Sequence, residues 1–315
     1  MKIKKVEFYE HEILSNLEVD FCNDKQESLN TVIIIGENGS GKTTLLKEIF
    51  KSFCTHKELW TFVGKDEIKI SVPKGDIFFE VDELEKGLIF NHPRIKEGIV
   101  KGWLGKIVFM PTEINFDKLN KVDNTFKFSH EFLNVIDQNI TENIPSLIAT
   151  KINKEIFKNR NKVIGEVIDE VCDNINSIFR CMDLEVKLIG LSEDEDNKPI
   201  FKNTQGKEFD INGLSSGEKQ LFLRALSLKF LEVNNSIVLI DEPEISLHPQ
   251  WQQKIINVYE SIGENNQIII ATHSPHIVGY IESSQLRILK KDANGISVMK
   301  NHEIKEGFDR YIRGI

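Results

Sequence analysis

No stretch of the 315-residue chain approaches the ~18–20 consecutive apolar residues that a membrane span needs. The N-terminal MKIKKVEFYE has basic residues but no apolar h-region, so it does not read as a secretory signal. Cysteine is scarce: Cys22, Cys54, Cys172 and Cys181 form no CxxC pair and no even spacing. Ordinary thiols in a reduced, cytoplasmic chain are the expectation. Positive charge is in deficit as well. With 40 Lys and Arg against 49 Asp and Glu, the net charge is -9, which argues against a surface that grips nucleic acid throughout. One local exception is Lys151–Lys162 (KINKEIFKNRNK), with five basic residues and one acid. A solvated helix face is its plain reading and a phosphate-backbone contact the sharper one. Internal repeats and low-complexity linkers are absent too.

The chain is nevertheless 40% hydrophobic, with 20 Phe, enough to bury a core at a length between one large domain and two small ones. Ile3–Phe8 and Leu17–Phe21 read as antiparallel strands. Thr31–Ile35 is a continuous β-branched run, suited to a strand buried on both faces of a parallel sheet. Glycines and a helical stretch, Thr43–Phe53, follow it and open a βαβ unit. Ile68–Val72, Ile77–Val81 and Lys106–Met110 are further strand candidates. From about 129 to 182 the pattern turns helical. Pro145 breaks or starts one helix, and Val163 to Met182 fall on one apolar stripe. After a strand over Leu184–Ile189 and an acidic turn at Ser192–Asp196, the chain returns to α/β. Helices are expected over 216–231 and 249–262, and strands over 236–240 and 267–271.

Gly36-Glu37-Asn38-Gly39-Ser40-Gly41-Lys42-Thr43 fits GxxxxGK[ST] between a strand and a helix, the context that makes such a match a P-loop. Its glycines let successive backbone N–H groups approach a phosphate, and the helix N-terminus adds partial positive charge. Lys42 is placed to reach the β- and γ-phosphates, and the Thr43 hydroxyl to ligate Mg²⁺; Thr44 continues the motif into the helix. Ile237–Glu242 (IVLIDE) ends a buried strand on two carboxylates. Asp241 would hold Mg²⁺ and Glu242 would act as general base towards a water. Taken alone, this is an ordinary acidic pair at a strand end; the P-loop upstream favours the catalytic reading.

Leu214-Ser215-Ser216-Gly217-Glu218-Lys219-Gln220 resembles the LSGGQ-type signature of ABC ATPases and lies 27 residues before Asp241. Ser215 and Glu218 also make an S-x-x-E capping box, so a plain helix cap is the competing reading. Asp241-Glu242-Pro243-Glu244, Ser246-Leu247-His248-Pro249 and Gln250-Trp251-Gln252 follow, resembling the D-loop region of soluble ABC-type ATPases. Ala271-Thr272-His273-Ser274-Pro275 closes the set, with His273 matching the switch histidine 32 residues after Asp241. A metal pair of His273 and His276 is the alternative, but Ser-Pro lies between them and no third ligand is near in sequence.

The chain thus resembles the SMC/RecF/OLD-like branch of ABC ATPases, and more narrowly the small AAA-type ATP-binding proteins of bacterial defence and virulence loci. The resemblance rests on residues ~31–50 and ~210–280, with a weaker echo at Gly307-Phe308-Asp309. It implies an α/β P-loop NTPase of ABC type, with a mixed sheet, an N-terminal antiparallel β part and an inserted helical subdomain. The expected division is 1–128 for the first half of the core, 129–190 for the helical insert and 191–315 for the second half.

The same resemblance implies ATP and Mg²⁺ as cofactors and a head-to-tail homodimer. Ser215, Gly217 and Glu218 of one copy would face the nucleotide held by the Gly36, Asn38, Gly39, Ser40, Gly41, Lys42, Thr43 and Thr44 loop of the other. A separate effector, such as a nuclease or toxin, is the implied partner. The 40 residues after Pro275 are too few for a Toprim domain, so a nuclease is expected on a second polypeptide. An ATP-locked scaffold and a DNA-maintenance ATPase remain as alternatives. The ATPase of a membrane transporter is disfavoured by the lack of LSGGQ-x-QR. Two departures stand out. After 106–110 the chain reads Met110-Pro111-Thr112-Glu113, with no Q-loop glutamine, and Tyr9-Glu10-His11 replaces the usual adenine-contacting element. Lys42→Ala is expected to abolish ATP binding in an equilibrium titration; undiminished affinity would refute the P-loop.

Overall fold

Val32, Ile33, Ile34 and Ile35 are all fully buried, and their run is unbroken because the strand that carries them is covered on both faces. Ile33 and Ile35 join one hydrophobic core; Val32 and Ile34 join another. A computed structural model describes residues 2–54, 60–62, 67–72, 75–82, 105–114, 119, 122, 133–193, 197–293 and 295–299. In it Lys2–Tyr9 (β1), Glu18–Asp20 (β2), Trp60–Phe62 (β4), Glu67–Val72 (β5) and Gly75–Asp82 (β6) form an antiparallel sheet in the order β2-β1-β6-β5-β4. Thr31–Gly36 (β3) belongs to a second sheet, with Ile107–Met110 (β7), Leu133–Val135 (β8), Ile237–Asp241 (β12), Gln267–Ala271 (β13), Leu286–Asp292 (β14) and Gly295–Val298 (β15). Its order is β15-β14-β3-β13-β12-β7-β8. Every pairing in it is parallel except β14 with β15.

Helix α1 (Lys42–Cys54) packs Leu45, Leu46, Ile49, Phe50 and Phe53 into the core between the two sheets. Phe50 meets Phe109 of β7 at 5.7 Å between ring centroids, and Phe53 meets Phe79 of β6 at 5.2 Å. Gln267 fastens the sheets further. Its side chain accepts from Ile3 N and donates to Ile3 O, both at 2.7 Å, standing in for a strand where the pairing of β1 with β2, confined to Lys5–Glu7, does not reach.

The other face of the parallel sheet is covered by helices α2 (Gln138–Glu142), α3 (Ile144–Lys158), α4 (Ile164–Asn176) and α5 (Ser216–Phe230). Pro145 sits in the first turn of α3, where its missing N–H costs nothing. A three-stranded sheet of Val186–Leu191 (β9), Pro199–Asn203 (β10) and Glu208–Asp210 (β11) lies beside them. Phe222 of α5 joins the two parts, with its ring 4.3 Å from Phe179 and 5.3 Å from Phe201 of β10.

Three expectations need correction. The helical pattern from 129 begins, within the described residues, with strand β8, whose pairing is continued by Ile136 N donating to Phe109 O at 2.8 Å. The Val163–Met182 stripe is not one helix, because after α4 it tightens into a 3₁₀ turn, Ser177–Met182, ending at Asp183 in the left-handed region. The single helix expected over 249–262 is two, α6 (Pro249–Gln252) and α7 (Ile255–Glu260). The first is tied to its neighbours by the Gln252 side chain, bonded to Leu247 O and Ser274 Oγ; the second follows the buried Ile255, Val258 and Tyr259. Strands β10 and β11 were not expected; they are short and alternate with charged residues. The Gly307-Phe308-Asp309 echo and the Cys54 side chain lie outside the described residues.

Candidate functional site

Because β7, β12, β13 and β3 run parallel, their C-terminal ends share one edge, and the loops that follow them meet there. Gly36 ends β3 and turns the chain into the glycine loop. A Cβ at Gly36 would lie 2.5 Å from the Leu289 carbonyl oxygen and 2.6 Å from Ser40 Oγ, so the loop can fold this closely only with glycine there. Gly39 and Gly41 both have positive φ, 79° and 91°. Asn38 and Gly39 are exposed, while Ser40 is buried with its hydroxyl unpartnered. Lys42, 5% exposed, donates from Nζ to Gly36 O at 2.9 Å and Glu37 O at 3.2 Å, folded back over the loop. Burial pulls its pKa down, against the opposing pull of Glu242, Asp241 and Glu244.

Asp241, 1% exposed at the end of β12, receives two hydroxyls. Thr43 Oγ1 lies 3.0 Å from each carboxylate oxygen, and Thr112 Oγ1 lies 2.6 Å from Oδ2. The β7–β12 register brings Met110 opposite Ile240, which delivers the following loop, with Thr112, to the carboxylate. Two hydroxyls and a carboxylate are the hard oxygen donors that Mg²⁺ takes, so the residues present fit that ion.

Glu242 adopts φ 47°, a left-handed conformation that costs a non-glycine residue about 1–2 kcal/mol. It turns the carboxyl towards His273, whose Nε2 lies 3.3 Å from Glu242 Oε1 and whose backbone N–H donates to Oε2 at 3.2 Å. Burial, then hydrogen bonding and repulsion from Glu244, push the Glu242 pKa up to about 8. His273 is lowered by burial and by Lys42. At neutral pH the pair is therefore a protonated carboxyl beside a neutral imidazole. Glu244 Oε1 accepts from Thr272 Oγ1 at 2.5 Å and from His273 N at 2.9 Å, while its Oε2 is buried without a partner.

Gly36, Lys42, Thr43, Asp241, Glu242 and His273 are thus brought together. Ser215, Gly217 and Glu218 stand apart from them, at the start of α5. Ser215 Oγ accepts from Glu218 N at 3.3 Å and Ser215 N donates to Glu218 Oε2 at 2.8 Å, closing the capping box; Ser215 is exposed, and its Oγ also donates to Glu218 Oε2 at 2.7 Å. Gly217 is buried; a Cβ on it would come 2.6 Å from the Ser246 carbonyl, so this glycine lets α5 lie against the turn after Glu242. Thr44 follows in α1, half-buried, with no site contact of its own. Thr112 and Glu244 were not assigned from sequence. A threonine directly after a buried strand, in the slot of the missing glutamine, was the available signal for one, and the second acid of DEPE for the other. Among the described residues no group of three or more His, Cys, Asp or Glu side chains is arranged to hold a metal ion. No helix there is long and apolar enough to cross a membrane.

A family model described as "AAA domain, putative AbiEii toxin, Type IV TA system" matches residues 113–279, just over half of the chain. The "Retron Vc95 probable ATPase" of Vibrio cholerae is 36% identical over 103 residues, 29% of this chain and 20% of that protein. The "Septu protein PtuA" of Bacillus mycoides is 22% identical over 334 aligned positions, covering 98% of this chain and 43% of that one. The chain therefore spans less than half the length of either relative. Among solved structures, an SMC head bound to the C-terminal winged-helix domain of ScpA is similar with TM-score 0.52 and 14% identity, over 95% of this chain and 98% of that one. The fold is that of an SMC head.

The raised Glu242 has a consequence for stability. Its protonated form contributes stability below its ordinary value of 4.5, and that contribution is lost as pH rises towards about 8. Urea midpoints of the nucleotide-free chain should therefore fall, relative to Glu242→Gln, between about pH 5 and pH 8. Parallel curves would contradict the assignment.

Proposed function

Since the chain belongs to the AAA-domain family whose model covers residues 113–279, we propose that it is an Mg²⁺-dependent ATPase of SMC/ABC type. Two copies would close head to tail around ATP, and the cycle would regulate a separate effector, such as a nuclease or toxin, in bacterial anti-phage defence. The observation that carries this reading is the convergence of the Thr43 and Thr112 hydroxyls on Asp241, beside Glu242 and His273. The defence setting is supported by similarity to the retron and Septu proteins, and nucleic acid is a further candidate partner.

In this reading Thr43, Thr112 and Asp241 hold Mg²⁺, whose charge would offset that of the phosphates. Lys42 exchanges its two loop carbonyls for phosphate oxygens, a stronger pairing for an ammonium group. Ser40, with its buried unpartnered hydroxyl, donates to the same phosphates. In its ionised form Glu242 would accept a proton from the attacking water, and His273 holds the Glu242 carboxyl in place and faces the γ-phosphate. Ser215, freed from Glu218, and the exposed N-terminus of α5 present donors to the nucleotide of the other copy. Glu218 keeps that helix start capped until then, and Gly217 lets it rest on the turn after Glu242.

A second reading, an ATP-locked scaffold with little turnover, is favoured by one observation. Glu242 with a pKa of about 8 is mostly protonated at neutral pH and would be a poor base until its surroundings change. Turnover measured with and without candidate effectors separates the two. Glu242→Gln should keep ATP binding, slow hydrolysis by about 10²–10⁴-fold and leave the chain dimeric in ATP and Mg²⁺ by light scattering. A variant that stays monomeric in ATP would count against the proposal.

A further inference from the structure

Arg224, in the middle of α5, is 2% exposed. Its Nε donates to Gln220 Oε1 at 2.8 Å, and its Nη2 donates to Pro111 O at 3.1 Å and Thr112 O at 2.9 Å. Nη1 is buried with no partner. Among the described residues no carboxylate lies within ion-pair distance of it, so a full charge has been taken out of water and given only neutral acceptors. Burying a charge in this way is costly, and neutral acceptors repay that cost only in part.

The guanidinium does fix two successive carbonyls in the loop after β7. That loop carries Thr112, whose hydroxyl donates to Asp241. A continuous set of contacts therefore runs from α5 through Arg224 and the Thr112 backbone to the carboxylate at the metal position. The other end of the same rigid helix, nine residues or about 13 Å away, is the exposed start capped by Ser215. Glu244 Oε2 is an equally buried acceptor without a partner, within electrostatic range of Arg224.

We propose that Arg224 is a positioning residue that couples the metal shell to α5, holding the Pro111 and Thr112 carbonyls so that Thr112 keeps its hydroxyl on Asp241. Coupling of this kind is reciprocal: whatever tightens the metal shell biases α5, and whatever engages the start of α5 tightens the shell. The inference rests on the Mg²⁺-nucleotide reading above and adds a residue that neither touches the phosphates nor belongs to any of the sequence motifs.

The test is a Mg²⁺ titration of the full chain with a fluorescent, non-hydrolysable ATP analogue. It compares wild type, Arg224→Met, Arg224→Lys, Thr112→Val and the Arg224→Met/Thr112→Val pair. Arg224→Met should raise the Mg²⁺ midpoint about 10-fold, as removal of an outer-shell partner does elsewhere. Thr112→Val should raise it at least as far, and the pair no further than Thr112→Val alone, because both act through one hydroxyl. Analogue binding in EDTA should be unchanged throughout, which separates loss of the metal shell from a general loss of structure. Arg224→Lys, which keeps the charge and one carbonyl contact, should fall between wild type and Arg224→Met. Unmoved midpoints in both Arg224 variants, or additive effects in the pair, would overturn the inference. If Arg224→Met does not fold, Arg224→Lys against Thr112→Val decides the matter in the same way. A wild-type chain that binds no analogue, or binds it regardless of Mg²⁺, would instead remove the underlying Mg²⁺-ATP reading.

Discussion

A buried carboxylate needs donors, and Asp241 draws its donors from two elements far apart in sequence. Thr43 opens the helix after the glycine loop, and Thr112 follows the strand next to β12. Both arrive because β3, β13, β12 and β7 are parallel and in register, so that their loops leave from one edge. Three acids, Asp241, Glu242 and Glu244, bear on the single ammonium of Lys42. Burial, together with this excess of negative charge, lifts Glu242, and the same excess leaves the edge suited to a divalent cation and a phosphate chain together. The strained backbone of Glu242 has a place in the same scheme. It turns the carboxyl off the axis of β12 and towards His273, a conformation maintained by the surrounding hydrogen bonds rather than by local preference.

The two-sided burial of the parallel strands was legible in the runs TVIII and IVLI, since a strand covered on both faces has no reason to alternate. The P-loop, the two acids after IVLI and the histidine after β13 could be placed for the same reason: each directly follows such a strand. Strand β8 was hidden. Its three residues carry too little periodicity to be told from the helices that follow, and only pairing with β7 makes them a strand. The break between α6 and α7 was hidden as well, because it depends on Gln252 reaching Leu247 and Ser274, contacts that a helical pattern does not encode.

Thr112 and Arg224 mark the boundary of what pattern reading reaches. The chain has no glutamine directly after β7, but the register of β7 on β12 brings the Thr112 hydroxyl to Asp241 instead. Arg224 sits on an otherwise buried face of α5, where sequence alone suggests nothing more than an odd charge in an apolar run. Only the carbonyls opposite it give that charge a role. In the same way, Ser215 and Glu218 could be read as signature or as cap. The structure has them in the capping box; the signature role proposed for them would need an encounter with a second copy.

That encounter is the central claim, and a structure of the chain with Mg²⁺ and a non-hydrolysable ATP analogue tests it most directly. The account predicts two copies with each nucleotide between the Gly36–Thr43 loop of one and the Ser215 end of α5 of the other, with Thr43, Thr112 and Asp241 around the metal. A nucleotide seated on the loop with no α5 start facing its phosphates, in every packing arrangement, would contradict it.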